Sequence, residues 1–106
     1  MKRYFALAAL ASTLFAAPAM ADLDLAKKSG CLACHSIEKK VVGPSWKDVA
    51  AKYKDQAGAR AELIAAIANG SKGKWTSMTG GVPMPPYSPR VSDADIEKLT
   101  DFILSM

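Results

Sequence analysis

Apolar residues recur at helical spacing near the C-terminal end of the chain. An α-helix beginning at Ser92 would place them on one face. Ser92 is a favourable N-cap residue, and the acidic residues after it suit the positive end of a helix. The pattern therefore predicts an amphipathic C-terminal helix, whose apolar face carries Ile96, Leu99, Phe102, Ile103 and Met106.

Three further helices are predicted upstream. The first, Leu23 to Ser29, ends at Gly30, and the second, Trp46 to Lys54, has Ser45 as its N-cap. The third, Ala59 to Ala68, carries apolar residues at helical spacing and stops at Asn69-Gly70. No segment alternates as a β-strand does, so the pattern predicts an all-α domain of about four helices.

A long loop, Gly70 to Val91, separates the third and fourth predicted helices. It holds four of the five prolines and four of the glycines found after residue 21. Loops longer than about 15 residues in a small domain usually carry function. We therefore expect a functional residue in this loop.

The N-terminal segment has the layout of a secretory signal peptide. Lys2 and Arg3 precede an apolar run from Tyr4 to Ala17, and Ala19-Met20-Ala21 offers a cleavage site. A retained membrane anchor is the alternative, but Ser12, Thr13 and Pro18 interrupt the run, which falls short of the ~20 residues that span a bilayer. We expect residues 1–21 to be cleaved and residues 22–106 to form one exported domain.

The mature chain is small and almost balanced in charge. Removing 21 of 106 residues leaves 85, and removing Lys2 and Arg3 leaves 12 of 14 basic residues against 10 acidic ones, a net charge of +2. A nucleic-acid-binding domain would instead concentrate basic residues on one face. A domain of this size has a marginal core and usually needs a disulfide, a metal or a buried cofactor.

Both cysteines and the single histidine lie in one C-x-x-C-H motif, Cys31-Leu-Ala-Cys34-His35. A structural zinc site would want a fourth ligand, and a redox dithiol belongs near a βαβ pattern that this chain lacks. The motif is typical of covalent haem attachment, in which the two thiols add to the two vinyl groups of one porphyrin and the histidine binds the iron. We therefore predict one covalent haem c held by Cys31, Cys34 and His35.

The other axial position of the iron needs a different residue type, and methionine is the usual partner in electron carriers. Met78, Met84 and Met106 are the candidates in the mature chain. Met106 fits the apolar face of the last helix, and Met78 lies in the glycine-containing stretch TSMTGG. Met84 lies in VPMPPY, whose prolines stiffen the backbone around it. We predict that Met84 is the second axial ligand.

In order and spacing, the stretches GCLACHSIEKKVVGPSWKDVAAKY, NGSKGKW, VPMPPY and VSDADIEKLTDFIL resemble a bacterial class I monohaem cytochrome c of the short-chain periplasmic type. The resemblance covers essentially the whole mature chain. It implies a fold in which the first and last helices cross, the others wrap the haem, and one haem edge stays exposed. It also implies a soluble periplasmic electron carrier that donates to nitrite reductase or a terminal oxidase.

The resemblance assigns roles to individual residues. Cys31 and Cys34 match the thioether pair, and His35 and Met84 match the two axial ligands. Pro44 matches a proline whose carbonyl accepts a hydrogen bond from the histidine ring, although it could simply be a turn proline. Trp75 matches a tryptophan that reaches a haem propionate, with ordinary packing as the alternative.

Three departures from the family pattern stand out. Trp75 and Met84 are nine positions apart, where about five are usual. Ala66 stands where relatives often have a basic residue facing the propionates, and Tyr87 stands where they often have an asparagine near the methionine sulfur. The longer loop and Ala66 bear on how the propionates are held. The Tyr87 hydroxyl could replace the asparagine amide as a donor or point away.

With both axial positions filled, the expected function is one-electron transfer rather than enzymatic catalysis. A peroxidase or gas-binding haem would want a distal histidine or arginine, and a purely structural disulfide protein would have no colour. Expected partners are redox proteins such as nitrite reductase, a terminal oxidase, the cytochrome bc1 complex or a peroxidase, with the carrier itself a monomer that meets membranes only through its partners. Five lysines could rim the haem edge and make docking depend on salt, or could equally be ordinary solvated surface residues: Lys28, Lys39, Lys40, Lys72 and Lys74.

Overall fold

The computed structural model describes residues 18–106, with side chains from residue 21 onward. Residues 1–17 of the predicted signal peptide lie outside this range, so its cleavage stays a prediction. The described chain contains no β-strand, which confirms the predicted all-α class. A 3₁₀ turn, Cys31–Ala33, accompanies five helices: α1 (Pro18–Lys28), α2 (Trp46–Tyr53), α3 (Ala59–Asn69), α4 (Thr76–Thr79) and α5 (Asp93–Leu104).

The predicted N-caps form as expected. The Ser45 hydroxyl accepts a hydrogen bond from the Asp48 amide at 3.1 Å, and the Ser92 hydroxyl accepts one from the Asp95 amide at 3.2 Å. α2, α3 and α5 lie within a residue or two of their predicted limits. α1 begins five residues earlier than predicted, because proline at the first helical position followed by alanines favours a helix.

The segment between α3 and α5 is more ordered than the predicted loop. It contains the single-turn helix α4 and an antiparallel bridge between Ser71 and Met84. Four consecutive helical residues are too few to show a 3.6-residue period, and a bridge between residues thirteen positions apart leaves no local signal. The sequence pattern alone therefore indicated only a loop.

The core forms where α5 packs against α1, α2 and α3. Ile96 and Leu99 are 0% and 1% exposed, and Phe102 and Ile103 are also buried, which confirms the predicted apolar face. Met106 packs partly buried against the same core. Among the described residues, none of the helices has the length and apolar character needed to cross a membrane.

Candidate functional site

A large, mostly apolar cavity lies between the 3₁₀ turn, the helices and the α3–α5 segment. The empty space inside it is about 1100 Å³, including the part open to solvent. Its walls include Leu63, Ile67, Leu99 and Ile103. The same lining contains all six residues singled out from the sequence: Cys31, Cys34, His35, Pro44, Trp75 and Met84.

The two cysteines enter the cavity from a single tight turn. The amides of Cys34 and His35 both donate to the Cys31 carbonyl, at 3.2 and 2.9 Å, so the motif is coiled around its first residue. Both thiols are free and both line the cavity, with Cys31 buried. Burial raises the pKa of the Cys31 thiol, which favours an uncharged sulfur there. A thioether is such a sulfur.

His35 is oriented by the chain segment opposite it. Its Nδ1 lies 2.8 Å from the Pro44 carbonyl oxygen. A carbonyl only accepts, so Nδ1 must carry the proton, which leaves the Nε2 lone pair available for a metal. A Cβ atom on Gly43 would stand 2.6 Å from the His35 Cε1 atom, so the backbone can approach the ring this closely only at glycine.

Trp46 supports the other side of the histidine. Its ring stacks on His35 with centroids 5.9 Å apart and an interplanar angle of 22°, and it meets Phe102 edge-on at 5.9 Å. Trp46 is 2% exposed and lines the cavity. The row of His35, Trp46 and Phe102 therefore joins the proposed proximal ligand to α5.

Met84 lies in the cavity lining, whereas Met78 and Met106 do not. Met78 belongs to the short helix α4, and Met106 packs on the core. Met84 is therefore the methionine, among those whose side chains the structure describes, that shares a cavity with His35. Its backbone is fixed by the bridge to Ser71.

At one edge of the cavity, Trp75 belongs to a polar network. The Lys52 ammonium lies 4.4 Å from the Trp75 ring centroid, a cation–π contact. Lys74 is ion-paired with Glu62, which also accepts a hydrogen bond from the Tyr53 hydroxyl at 3.1 Å. The hydrogen bond from Lys74 lowers the pKa of Glu62, so the carboxylate stays charged.

The three positions that depart from the family pattern have defined surroundings. Ala66 and Tyr87 both line the cavity, and the Arg90 guanidinium lies 4.8 Å from the Tyr87 ring centroid. Tyr87 is buried, and burial raises the pKa of its hydroxyl. The longer stretch between Trp75 and Met84 places Thr79 and Val82 in the lining.

Of the five candidate lysines, the cavity lining includes Lys72 and Lys74. Lys28 instead lines a separate surface depression with Arg90 and Asp95. Lys39 and Lys40 are exposed but absent from the lining. Two of the five candidates therefore line the cavity.

The sequence pattern did not point to the roles of Gly43, Trp46 or Lys52. Gly43 directly precedes Pro44, but the role considered there was that of the Pro44 carbonyl. Trp46 was recognised only as the first residue of α2. Lys52 lies in α2 and contacts Trp75, which precedes α4. A contact between such distant positions leaves no local sequence signal. For Trp46, the residue type offered a hint, because tryptophan is highly buried on average.

Comparison with known proteins identifies the family. The family model for cytochrome c matches residues 11–106. The chain is 51% identical over 98 residues to cytochrome c-552 of Nitrosomonas europaea, covering 92% of this chain and 90% of that protein. It is 49% identical over 108 residues to cytochrome c-551 of Pseudomonas aeruginosa, covering 99% and 98%.

Solved structures agree with the sequence relatives. The crystal structure of Nitrosomonas europaea cytochrome c552 superimposes with a TM-score of 0.71 at 52% identity, over 78% of this chain and 96% of that one. That of the class 1 cytochrome MtoD from Sideroxydans lithotrophicus gives 0.68 at 35% identity, over 81% and 92%.

The family binds one covalent haem c through a C-x-x-C-H motif, which is Cys31 to His35 in this chain. The large apolar cavity, the paired thiols and the oriented imidazole at its wall suit that group. The chain therefore belongs to the cytochrome c family and is a bacterial class I monohaem cytochrome c with one covalent haem c.

Proposed function

We propose that this protein is a periplasmic one-electron carrier in which His35 and Met84 are the two axial ligands of the haem iron. The single observation that supports this most is the convergence of Cys31, Cys34, His35 and Met84 on one cavity. Its haem, when bound, supplies the one-electron ferric/ferrous couple. The family's small c-551 and c-552 members support the carrier role in general.

The protein's own residues set the conditions for that couple. The Pro44 carbonyl holds the His35 ring in the tautomer that can bind iron, and Trp46 limits rotation of the ring. With an imidazole and a thioether both assigned to the iron, no coordination position is left for a substrate. That arrangement favours electron transfer over oxygen or peroxide chemistry.

Apolar walls also favour the reduced state. Leu63, Ile67 and Leu99 are buried and line the cavity, so they keep water away from its inner part. Burial destabilises the oxidised, more positive centre, and methionine ligation raises the potential relative to a second histidine. We infer a potential suited to accepting electrons from one respiratory protein and passing them to another.

We propose that redox partners dock at the cavity mouth. Two apolar side chains of the lining, Val42 and Val82, are 40% and 52% exposed there, and the lining also includes the exposed Lys72. Exposed apolar residues with a nearby charge suit brief contact with an acidic partner surface. A nitrite reductase, a terminal oxidase, the cytochrome bc1 complex or a peroxidase would each be such a partner, and we propose that the carrier acts as a monomer.

Periplasmic location is proposed from the N-terminal segment. Its basic start, apolar run and small-residue exit at Ala21 are typical of a Sec-type signal peptide. Residues 22–106 would then be released into the periplasm. N-terminal sequencing of the purified protein tests this directly, since a mature chain that starts at Met1 would exclude it.

The absorption spectrum of the purified protein, recorded from the visible into the near infrared in both oxidation states, tests the ligand assignment. Met84→Ala should abolish the weak near-infrared sulfur-to-iron band of the oxidised protein, because it removes the thioether. Met78→Ala is the matched control and should leave that band intact, because Met78 lies outside the cavity lining. If Met78→Ala removed the band and Met84→Ala kept it, the assignment of Met84 would be wrong.

A further inference from the structure

The backbone of Met84 is held by the end of α3. The Ser71 amide donates to the Met84 carbonyl at 3.0 Å, and the Met84 amide donates to the Ser71 carbonyl at 2.7 Å. Both main-chain groups of Met84 are therefore used within one reciprocal pair. A residue fixed in this way has little freedom to move its side chain away from the cavity.

The residues after Met84 continue the attachment. The Tyr87 amide donates to the Ile67 carbonyl at 3.0 Å, and the Ser88 amide donates to the Ala68 carbonyl at 3.1 Å. Carbonyls in the last turn of a helix have no partner within the helix. The segment 84–88 thus satisfies the end of α3, while α3 positions the segment.

Gly70 makes this close approach possible. Its φ is +82°, and a Cβ atom there would stand 2.7 Å from the Met84 carbonyl oxygen and 3.2 Å from the Pro86 nitrogen. Both of these neighbours are backbone atoms, which cannot turn aside as the end of a side chain can. A side chain at position 70 would therefore push the Met84 segment away from Ser71.

We propose that Gly70, together with the Ser71–Met84 backbone pair, is a positioning element for the distal iron ligand. α3 thereby sets where the Met84 thioether stands, in addition to forming a wall of the cavity. This inference rests on the proposed role of Met84 as axial ligand. Gly70 acts through Met84 and contributes no ligand of its own.

The test compares Gly70→Ala with Gly58→Ala in the haem-loaded protein. Gly58 has φ +79° at the opposite end of α3, and a Cβ atom there would meet nothing within 4 Å. Both glycines have positive φ, but ψ is 3° at Gly58, in the left-handed helical region, and 169° at Gly70, in a region essentially restricted to glycine. Gly70→Ala therefore imposes the greater backbone strain as well as the closer contact. Only Gly70→Ala places an atom against the Met84 backbone. The comparison is therefore made at the iron ligand and not from global stability, which both substitutions can lower.

The readouts are the sulfur-to-iron band and the affinity of the oxidised protein for added imidazole, which competes with the thioether. Gly70→Ala should weaken the band and raise the imidazole affinity about tenfold over Gly58→Ala, as expected when overpacking displaces a ligand. Equal imidazole affinities and equal bands in the two variants would overturn the proposal.

Met84→Ala separates failure of this inference from failure of the proposed function. If Met84→Ala keeps the band, the ligand assignment is wrong and the inference falls with it. If Met84→Ala loses the band while Gly70→Ala behaves like Gly58→Ala, only the positioning role is wrong.

A second measurement covers the case in which Gly70→Ala does not fold. Amide hydrogen exchange in the wild-type holoprotein should show the Ser71 and Met84 amides protected together with the last turn of α3. Exchange of both amides at free-peptide rates, with α3 protected, would contradict the proposal.

Discussion

Replacement of Trp46 by alanine should be among the most damaging single changes in the domain. The side chain is 2% exposed and contacts both His35 and Phe102 through its ring. Deleting a buried tryptophan costs about 3–5 kcal/mol through lost burial and the cavity left behind. Each aromatic pair accounts for about 0.5–1.5 kcal/mol of interaction beyond simple burial.

Urea denaturation of the holoprotein, followed by far-UV circular dichroism, measures this loss. With a slope of about 2 kcal/mol per molar urea, a loss of about 4 kcal/mol lowers the midpoint by about 2 M. Trp46→Phe should lose much less, because it keeps an aromatic ring between the histidine and α5. This variant tests whether an aromatic ring between His35 and Phe102 is sufficient for stability, or whether the indole itself is required.

Trp75→Ala is the matched control. Trp75 is only partly buried and its ring meets the Lys52 ammonium at the surface, a contact of about 0.5–1 kcal/mol. We expect a loss of about 1–2 kcal/mol in the free energy of unfolding, because Trp75 buries less apolar area than Trp46 does. Equal destabilisation by the two alanine variants would refute the argument that Trp46 is the structural tryptophan.

Two further outcomes follow from local contacts. Ser92→Ala removes the hydroxyl that accepts from the Asp95 amide and should lower the free energy of unfolding by about 1 kcal/mol, while Ser77→Ala, at an exposed position, should leave it unchanged. Asp101 has a lowered pKa because Arg60 donates to its carboxylate at 2.8 Å. Its contribution is therefore complete above the normal aspartate pKa of about 4 and is lost as the pH falls through the folded value. Thermal unfolding temperatures should fall less steeply below pH 4 in Asp101→Asn than in the wild type, and identical slopes would contradict this.

The features that the sequence predicted well are those with short-range causes. Ser45 and Ser92 are capping residues whose partners lie three positions away, and the apolar face of α5 repeats within a few turns. The C-x-x-C-H motif is likewise contiguous. Such patterns need no knowledge of how distant segments meet.

Features made by distant segments could not be predicted in the same way. The hydrogen bond pair between Ser71 and Met84 joins residues thirteen positions apart, and the Lys52–Trp75 contact joins residues twenty-three apart. The prolines around Met84 predict a restricted backbone from local sequence, but the hydrogen bonds to Ser71 depend on the path of the whole intervening loop. Packing between elements, rather than local preference, decides these contacts.

The packing of α5 on the other helices has a consequence for the order in which the haem site is assembled. α5 packs against three earlier helices and supplies Leu99 and Ile103 to the cavity wall. Cys31 and Cys34 lie 62 and 59 residues before its first residue, Asp93. Until α5 has packed, the part of the cavity wall that Leu99 and Ile103 supply is missing, so we expect the thiols to be more accessible to covalent attachment before this packing step than after it.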